Sequence, residues 1–379
     1  MKLLNFDRRD CETLWPVGIF LALIVVIGFF VHFDVLEPQA VQMHDQFLSP
    51  SISLPTGKEI EVGAYIENIY LFSASDKTFD VDGWIWVNWP QEAEDLFQAK
   101  KLTPDKWLNF VNQVDEWDSK IEPFYDEPIK LDNGHYYQGY KFSGHFYVND
   151  IQFQKFPFQT VKLPLVFELA DFAEINSKTT DMHDLHLVPD KSSSGIGAYI
   201  DITGYKTIDF NIFTNIHEYG SDFGLKKINP KHLHTNQVVF ETSYKPSVNA
   251  ALLTLFLPLL IVMTLVLFSP MLSASLWDIR LGVPPTALLT LIFLQQIHKD
   301  KLPELPYITY LDMIYNICYF IILILFVLFL WGSNRLDRAT EEERPTIIEH
   351  IDEIDNKFQI SLTIFLFVSS TASWFLLYR

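Results

Sequence analysis

Five stretches of this chain are apolar for long enough to approach or reach the thickness of a bilayer core. Four of them fall in the C-terminal third: Ala250–Trp277, Leu281–Ile297, Ile314–Asn334 and Phe358–Tyr378. The fifth is Val17–His32, and none of the five contains Lys, Arg, Asp or Glu. A hydrocarbon core takes about 20 such residues per helix. One such run also suits a buried core helix, but four with short gaps predict a membrane-spanning four-helix bundle over 247–379.

Orientation follows from the basic residues. Lys2, Arg8 and Arg9 precede the first stretch, and no Lys or Arg follows it until Lys58. Basic flanks stay on the cytoplasmic side, so residue 1 is expected inside and the segment after 33 outside. Four more crossings leave the C-terminus outside. The loop Gly332–Lys357 then falls inside, and its Arg335, Arg338 and Arg344 agree. The segment 1–33, with its basic start, suits either a cleaved signal peptide or a retained anchor helix. Neither Cys11, inside, nor Cys318, in a span, is in a position to form a disulfide in the oxidising exterior.

Residues 50–246 have another texture. Ile60–Phe72, Asp80–Trp89, Tyr136–Val148, Val161–Leu169, Ala198–Phe213 and Gln237–Tyr244 are rich in Ile, Val, Tyr, Phe and Thr. Val81, Gly83, Ile85 and Val87 alternate with Asp82, Trp84, Trp86 and Asn88, the period of a half-buried strand. Many short strands separated by Pro, Gly, Asn and Asp predict an antiparallel β-sandwich, with one helix near Pro104–Gln113. The expected class is a β + α membrane protein: a sandwich outside, four helices after it, and an extra apolar helix before it.

Few chemistries fit. A net charge of −19, from 28 Lys+Arg against 47 Asp+Glu, excludes binding nucleic acid by neutralising phosphates. No phosphate loop, nucleophile elbow or zinc-protease helix occurs, so neither an enzyme nor a cofactor is expected. Asp181, His183, Asp184 and His186, with His232 and His234, form the nearest thing to a metal cluster, and they read as a solvated polar loop.

The third apolar stretch carries an ordered stripe. Asp278, Gly282, Thr286, Leu289, Phe293 and Gln296 are spaced by 4, 4, 3, 4 and 3, an average of 3.6, so they share one helix face. Acidic, small, hydroxyl, apolar and amide residues in that order suit an ion path: a charged ring to select, polar steps to hydrate, an apolar ring to dewet. Ordinary helix packing through small and polar residues is the competing reading.

Several motifs then resemble the pentameric ligand-gated ion channels, the Cys-loop receptor superfamily. Leu302-Pro303-Glu304-Leu305-Pro306-Tyr307 resembles the family's linker between its second and third membrane helices. Pro258 is similar to the proline of the first, and Phe156-Pro157-Phe158 to the family's FPF signature. Ile202–Lys206 falls where bacterial members carry a Gly-aromatic strand. The likeness spans roughly 50–379, and no Cys pair brackets FPF, as in prokaryotic members.

The resemblance implies a homopentamer in a prokaryotic inner membrane, passing monovalent cations when a small molecule or protons bind outside. The pore helix would run from about Pro284 to His298, with Asp278 the selectivity ring, Thr286 a polar ring and Leu289 the gate. Two prolines in a helix interior are disfavoured unless the helix begins there, and Asp278–Val283 would then be a non-helical mouth. Coupling would fall to Phe156, Pro157, Phe158, Leu302, Pro303, Pro306 and Tyr307. Gln159 stands where the family has Asp, and Lys245 is the basic residue nearest to its usual Arg. The implied ligand box has Trp86 and Trp89 on one subunit face, and Phe124, Tyr125, Tyr219 and Phe223 on the other. A non-conducting receptor of the same architecture is the alternative.

Overall fold

The computed structural model describes residues 42–43, 59–114, 119–149, 151–169, 185–198, 200, 202–219 and 233–377. Val17–His32, Cys11, Asp181, His183, Asp184, Phe223 and His232 lie outside the described residues. An N-terminal β-rich part is followed by four helices long and apolar enough to cross a membrane. The described residues fall into two compact units. One lies within Gln39–Ile151 and Thr160–Lys245, the other within Gln152–Gln159 and Pro246–Arg379. The segment Gln152–Gln159, expected with the strands, thus groups with the helices.

The β unit runs β1 Gln42–Met43, β2 Glu59–Ser73, β3 Thr78–Trp89, β4 Leu108–Phe110, β5 Lys120–Pro123, β6 Ile129–Lys130, β7 Tyr136–Tyr147, β8 Val161–Leu169, β9 His186–Pro189, β10 Gly195–Ile196, β11 Tyr205–Tyr219 and β12 Leu233–Pro246. One sheet has the order β1-β11-β12-β8-β4. The other has β10-β2-β3-β7-β5, with β6 on β7 and β9 on β2. Strand β3 shows what drives them. Phe79, Val81, Ile85, Val87 and Trp89 are buried, while Asp80, Asp82, Trp84, Trp86 and Asn88 alternate onto the half-exposed face. Rings from both sheets share the core. Phe110 of β4 stands 5.4 Å from Phe142 of β7 and 4.7 Å from Phe167 of β8.

Two expectations here are corrected. The strand expected over Ala198–Phe213 begins only after the turn at Gly204, whose φ of 86° suits a residue without Cβ. The helix expected near Pro104–Gln113 is a single turn, Pro104–Trp107, that passes straight into β4. A longer helix, α1 Gln91–Lys100, precedes it. Among the residues whose burial is described, its buried face is Ala93, Glu94 and Phe97, too thin an apolar pattern to stand out in the sequence.

The membrane-length helices are α2 Val248–Met271, α3 Trp277–Lys299, α4 Tyr310–Asp337 and α5 Arg344–Leu377. Pro258 removes a backbone donor from α2, and the helix widens to a π turn over Leu252–Phe256 just before it. A capping box opens α4: the Asp312 N–H donates to Thr309 Oγ1 at 3.1 Å, and the Thr309 backbone N–H donates to Asp312 Oδ2 at 3.4 Å. Helix α4 is the most enclosed of the four, burying Tyr315, Cys318, Ile321, Ile322 and Leu325 at helical spacing.

Candidate functional site

Helix α3 is continuous from Trp277 to Lys299, with Pro284 and Pro285 inside it. The non-helical mouth expected for Asp278–Val283 is corrected accordingly. Those residues form the first turns of the helix. Each proline leaves the carbonyl four residues earlier, on Arg280 and Leu281, without its usual donor. Just beyond the prolines, Thr286 Oγ1 donates to the Gly282 carbonyl at 2.8 Å, and Thr290 Oγ1 to that of Thr286 at 2.9 Å.

The helix has two opposite faces. Its buried residues, Arg280, Pro284, Ala287, Leu291 and His298, share one. At about 100° per residue, Asp278, Gly282, Thr286, Leu289, Phe293 and Gln296 lie about 180° away. All six are exposed, Leu289 by 55% and Phe293 by 62%. A Cβ on Gly282 would meet nothing within 4 Å. The chain's own packing therefore does not ask for glycine there. The Thr286 hydroxyl has its proton committed to the backbone and offers lone pairs outward. Asp278 stands in the first turn of α3, where the helix dipole favours a negative charge.

At the other end of α3, the segment Gln152–Gln159 packs among the helices. The Phe156–Pro157 peptide is cis. Phe158 stacks on Phe256 at 5.8 Å and stands edge-on to Trp374 at 5.7 Å, with Tyr310 5.1 Å from Trp374. Phe156 and Leu302 help line a cavity of about 10 Å³, together with Gln295, His298, Asp312 and Tyr315. That is space for about one water. Both ring nitrogens of His298 and the Tyr315 hydroxyl have no hydrogen-bond partner among the described residues. Asp312 is well held, accepting from Gln295 Nε2 at 2.7 Å as well as from its own cap. Pro303 and Tyr307 are half-buried and Pro306 is exposed. Gln159 is buried, and Lys245 is exposed at the end of the β unit.

The aromatic residues expected around a ligand divide into three groups. Trp86 lies on the face of β3 turned from the core, directly opposite Gly63 of β2 and Gly139 of β7. Both glycines make room for rings. A Cβ on Gly63 would overlap the Trp86 indole, and one on Gly139 would overlap the Phe124 ring. Tyr125 stands edge-on beside Phe124, each a little under half exposed. Trp86, Phe124 and Tyr125 thus gather on one sheet, where the sequence reading put them on opposite subunit faces.

Trp89 belongs elsewhere. It is three residues from Trp86, an odd step in a strand, so it points into the core and is wholly buried. Its indole N–H donates to Glu94 Oε2 at 2.7 Å, and Trp107, Phe97 and Tyr136 surround it. Tyr219, on the other sheet, donates its hydroxyl to the buried Glu168 carboxylate at 2.8 Å. That carboxylate also accepts from Gln237 Nε2 at 3.0 Å. Among the described residues, the hydrogen bonds of Trp89 to Glu94 and of Tyr219 to Glu168 lead away from the Trp86 group.

Two carboxylates that sequence reasoning missed complete the Trp86 face. Asp190 Oδ2 accepts the Trp86 indole N–H at 3.0 Å. Burial works against its charge, but hydrogen bonds from Ser192, Trp86 and Ser193 outweigh it and hold the carboxyl below its ordinary value. Glu61 is pushed the other way, by burial first and then by the charge of Asp190. The signal for Asp190 is only an Asp-Lys before three serines, the composition of any turn. An aromatic face edged by fixed negative charge has the chemistry to hold an organic cation.

Among the described residues no group of three His, Cys, Asp or Glu side chains is arranged to hold a metal ion. His186 is on β9, its Nε2 buried without a partner among the described residues. Compared with protein-family models and with curated proteins, the chain matches none.

Proposed function

We propose that this chain is one subunit of a homopentameric, cation-conducting channel of a prokaryotic inner membrane, gated by a small molecule or by protons. The carrying observation is the α3 stripe. Six residues in the order acid, glycine, hydroxyl, Leu, Phe, amide stand opposite the face that packs on the rest of the chain, and all six are left exposed. A helix that met only lipid there would have no use for Asp278, Thr286 and Gln296, since polar groups in hydrocarbon are costly. Five copies turned inward would bury the stripe around water. The resemblance to pentameric ligand-gated channels supports the same reading, as do two sheets with a shared core, which suit a β-sandwich. The Trp86, Phe124 and Tyr125 face with Asp190 would take an organic cation. Coupling would run through Gln152–Gln159, which the chain joins to β7 on one side and β8 on the other, so a strain in those strands reaches Phe156 and Phe158 covalently.

Cation selectivity comes from Asp278, because a ring of carboxylates at a narrow mouth raises local cation concentration and repels anions. Reversal potentials of reconstituted protein in asymmetric salt test it. The wild type is expected to reverse near the cation potential, and Asp278→Ala to shift clearly toward zero. Anion permeation in the wild type, or unchanged selectivity in the variant, overturns the assignment.

A second reading has its own support. Leu289 and Phe293 are one turn apart and both project from the stripe, so two apolar rings in series would keep a pore dry. The assembly would then be a receptor that signals to a partner without conducting. Purified protein that binds ligand and never passes current would favour it.

A further inference from the structure

At the Asp278 end of α3 the packed face carries a charge. Arg280 is buried, 3% exposed, and its guanidinium donates to Asp355 of α5, whose side chain is 1% exposed. A second nitrogen lies 3.9 Å from Asp352, one turn earlier on α5. Phe329 of α4 covers the group, with the guanidinium carbon 4.5 Å from its ring centre. Asp352 also reaches the turn between α2 and α3, where its Oδ1 accepts the backbone N–H of Ala274 at 2.9 Å. Two aspartates on one face of α5 therefore hold both the turn that leads into α3 and the first turn of α3.

Burying an ion pair is a poor way to gain stability, since apolar residues of similar volume often do as well or better. What a buried pair supplies is position, because a slide or rotation of either helix leaves a charge uncompensated. Position matters here because of the prolines. Pro284 and Pro285 remove the two bonds that would tie Arg280 and Leu281 to the next turn. Residues Trp277–Val283, which carry Asp278 and Gly282 on the opposite face, are thus less firmly joined to the rest of α3 than an unbroken helix would be. They are joined instead to α5.

We propose that Asp352 and Asp355 form a latch through which α5 sets the position of Trp277–Val283, separately from the part of α3 that carries Leu289. The consequence for ions rests on the channel reading above; the structural claim does not. If it holds, movement of α5 alters the Asp278 mouth without moving the Leu289 ring.

Hydrogen–deuterium exchange on the purified full chain tests the latch without any current. In Asp355→Asn, amides in Trp277–Val283 are expected to exchange at least tenfold faster, with 286–299 unchanged. Because that variant leaves Arg280 without its counter-charge and is at risk of not folding, Arg280→Met/Asp355→Leu is measured beside it. The double variant removes both charges and keeps an apolar contact, so it should fold and still show fast exchange confined to 277–283. Exchange as slow as wild type in the double variant, or acceleration spread evenly along α3, overturns the latch. If the wild type conducts, the double variant should also lose cation selectivity while its spontaneous opening stays the same. A wild type that never conducts counts against the channel, and the exchange result still decides the latch.

Discussion

Leu289→Thr is expected to give a channel that opens without agonist. In the proposed pore a ring of leucines at the middle of the α3 stripe blocks ions by excluding water, since an ion entering it sheds hydration and gains no polar group in return. Threonine is shorter than leucine and puts a hydroxyl on Cβ, so water stays and the closed state loses its advantage. A bias of about 1 to 2 kcal/mol raises the resting open fraction roughly 5- to 30-fold. The side chain is 55% exposed within the chain and opposite the packed face, so the substitution removes little of the packing inside the subunit. Single-channel recording of assembled Leu289→Thr shows the effect as spontaneous openings and increased agonist sensitivity. An assembled variant that stays closed at rest with wild-type sensitivity removes Leu289 as the gate and moves the block to Phe293.

The largest effect on stability is expected at Trp89, a core residue rather than a ligand contact. Truncation to Ala removes a wholly buried indole that meets Trp107 at 5.8 Å and Phe97 at 6.3 Å. It also takes a donor from Glu94, a carboxylate only 7% exposed. Large-to-small changes at buried aromatic positions cost about 3–5 kcal/mol, and Glu94, which keeps Gln98 Nε2 at 2.7 Å but loses the indole donor, adds to that. Thermal unfolding of the purified protein should drop well below wild type in Trp89→Ala. Trp86→Ala, on the half-exposed face, should unfold close to wild type and lose binding of a quaternary ammonium probe instead. If Trp89→Ala melts as wild type does, the ring cluster around α1 contributes little to the fold.

That contrast also marks what the sequence made legible. Alternation in Val81, Ile85 and Val87 is enough to mark β3, and the same parity assigns Trp86 and Trp89 to opposite faces, so one face of the strand does not present both to a ligand. The membrane-length helices were legible because nothing else needs such long runs without a charge. Their ends were less so, since Arg280 and Asp355 are charges that pair inside the bundle, and a sequence does not show which charges will find partners 75 residues apart. Pro284 and Pro285 argued for a helix start, yet α3 runs through them: its first turns are held from outside by α5, and local propensity gave way to that tertiary contact. The Trp86 face needed Gly63, Gly139 and Asp190, which come from three separate elements and have no spacing to betray them. The stripe on α3 could be read at once because one helix carries all of it.

Substituted-cysteine accessibility along α3 tests the central claim most directly, since the claim is that this stripe faces water. In a background with Cys11 and Cys318 replaced, single cysteines at Gly282, Thr286, Leu289, Phe293 and Gln296 would be exposed to a charged, water-borne thiol reagent. Leu265, Phe320 and Val368, exposed apolar positions on α2, α4 and α5, serve as lipid-facing references. The channel reading predicts modification of the α3 series, with Leu289 and the positions beyond it toward the Asp278 end reacting faster when the pore opens, while the references stay unmodified. Reaction along the stripe no faster than at the references would mean that α3 faces lipid or protein, and would contradict the pore.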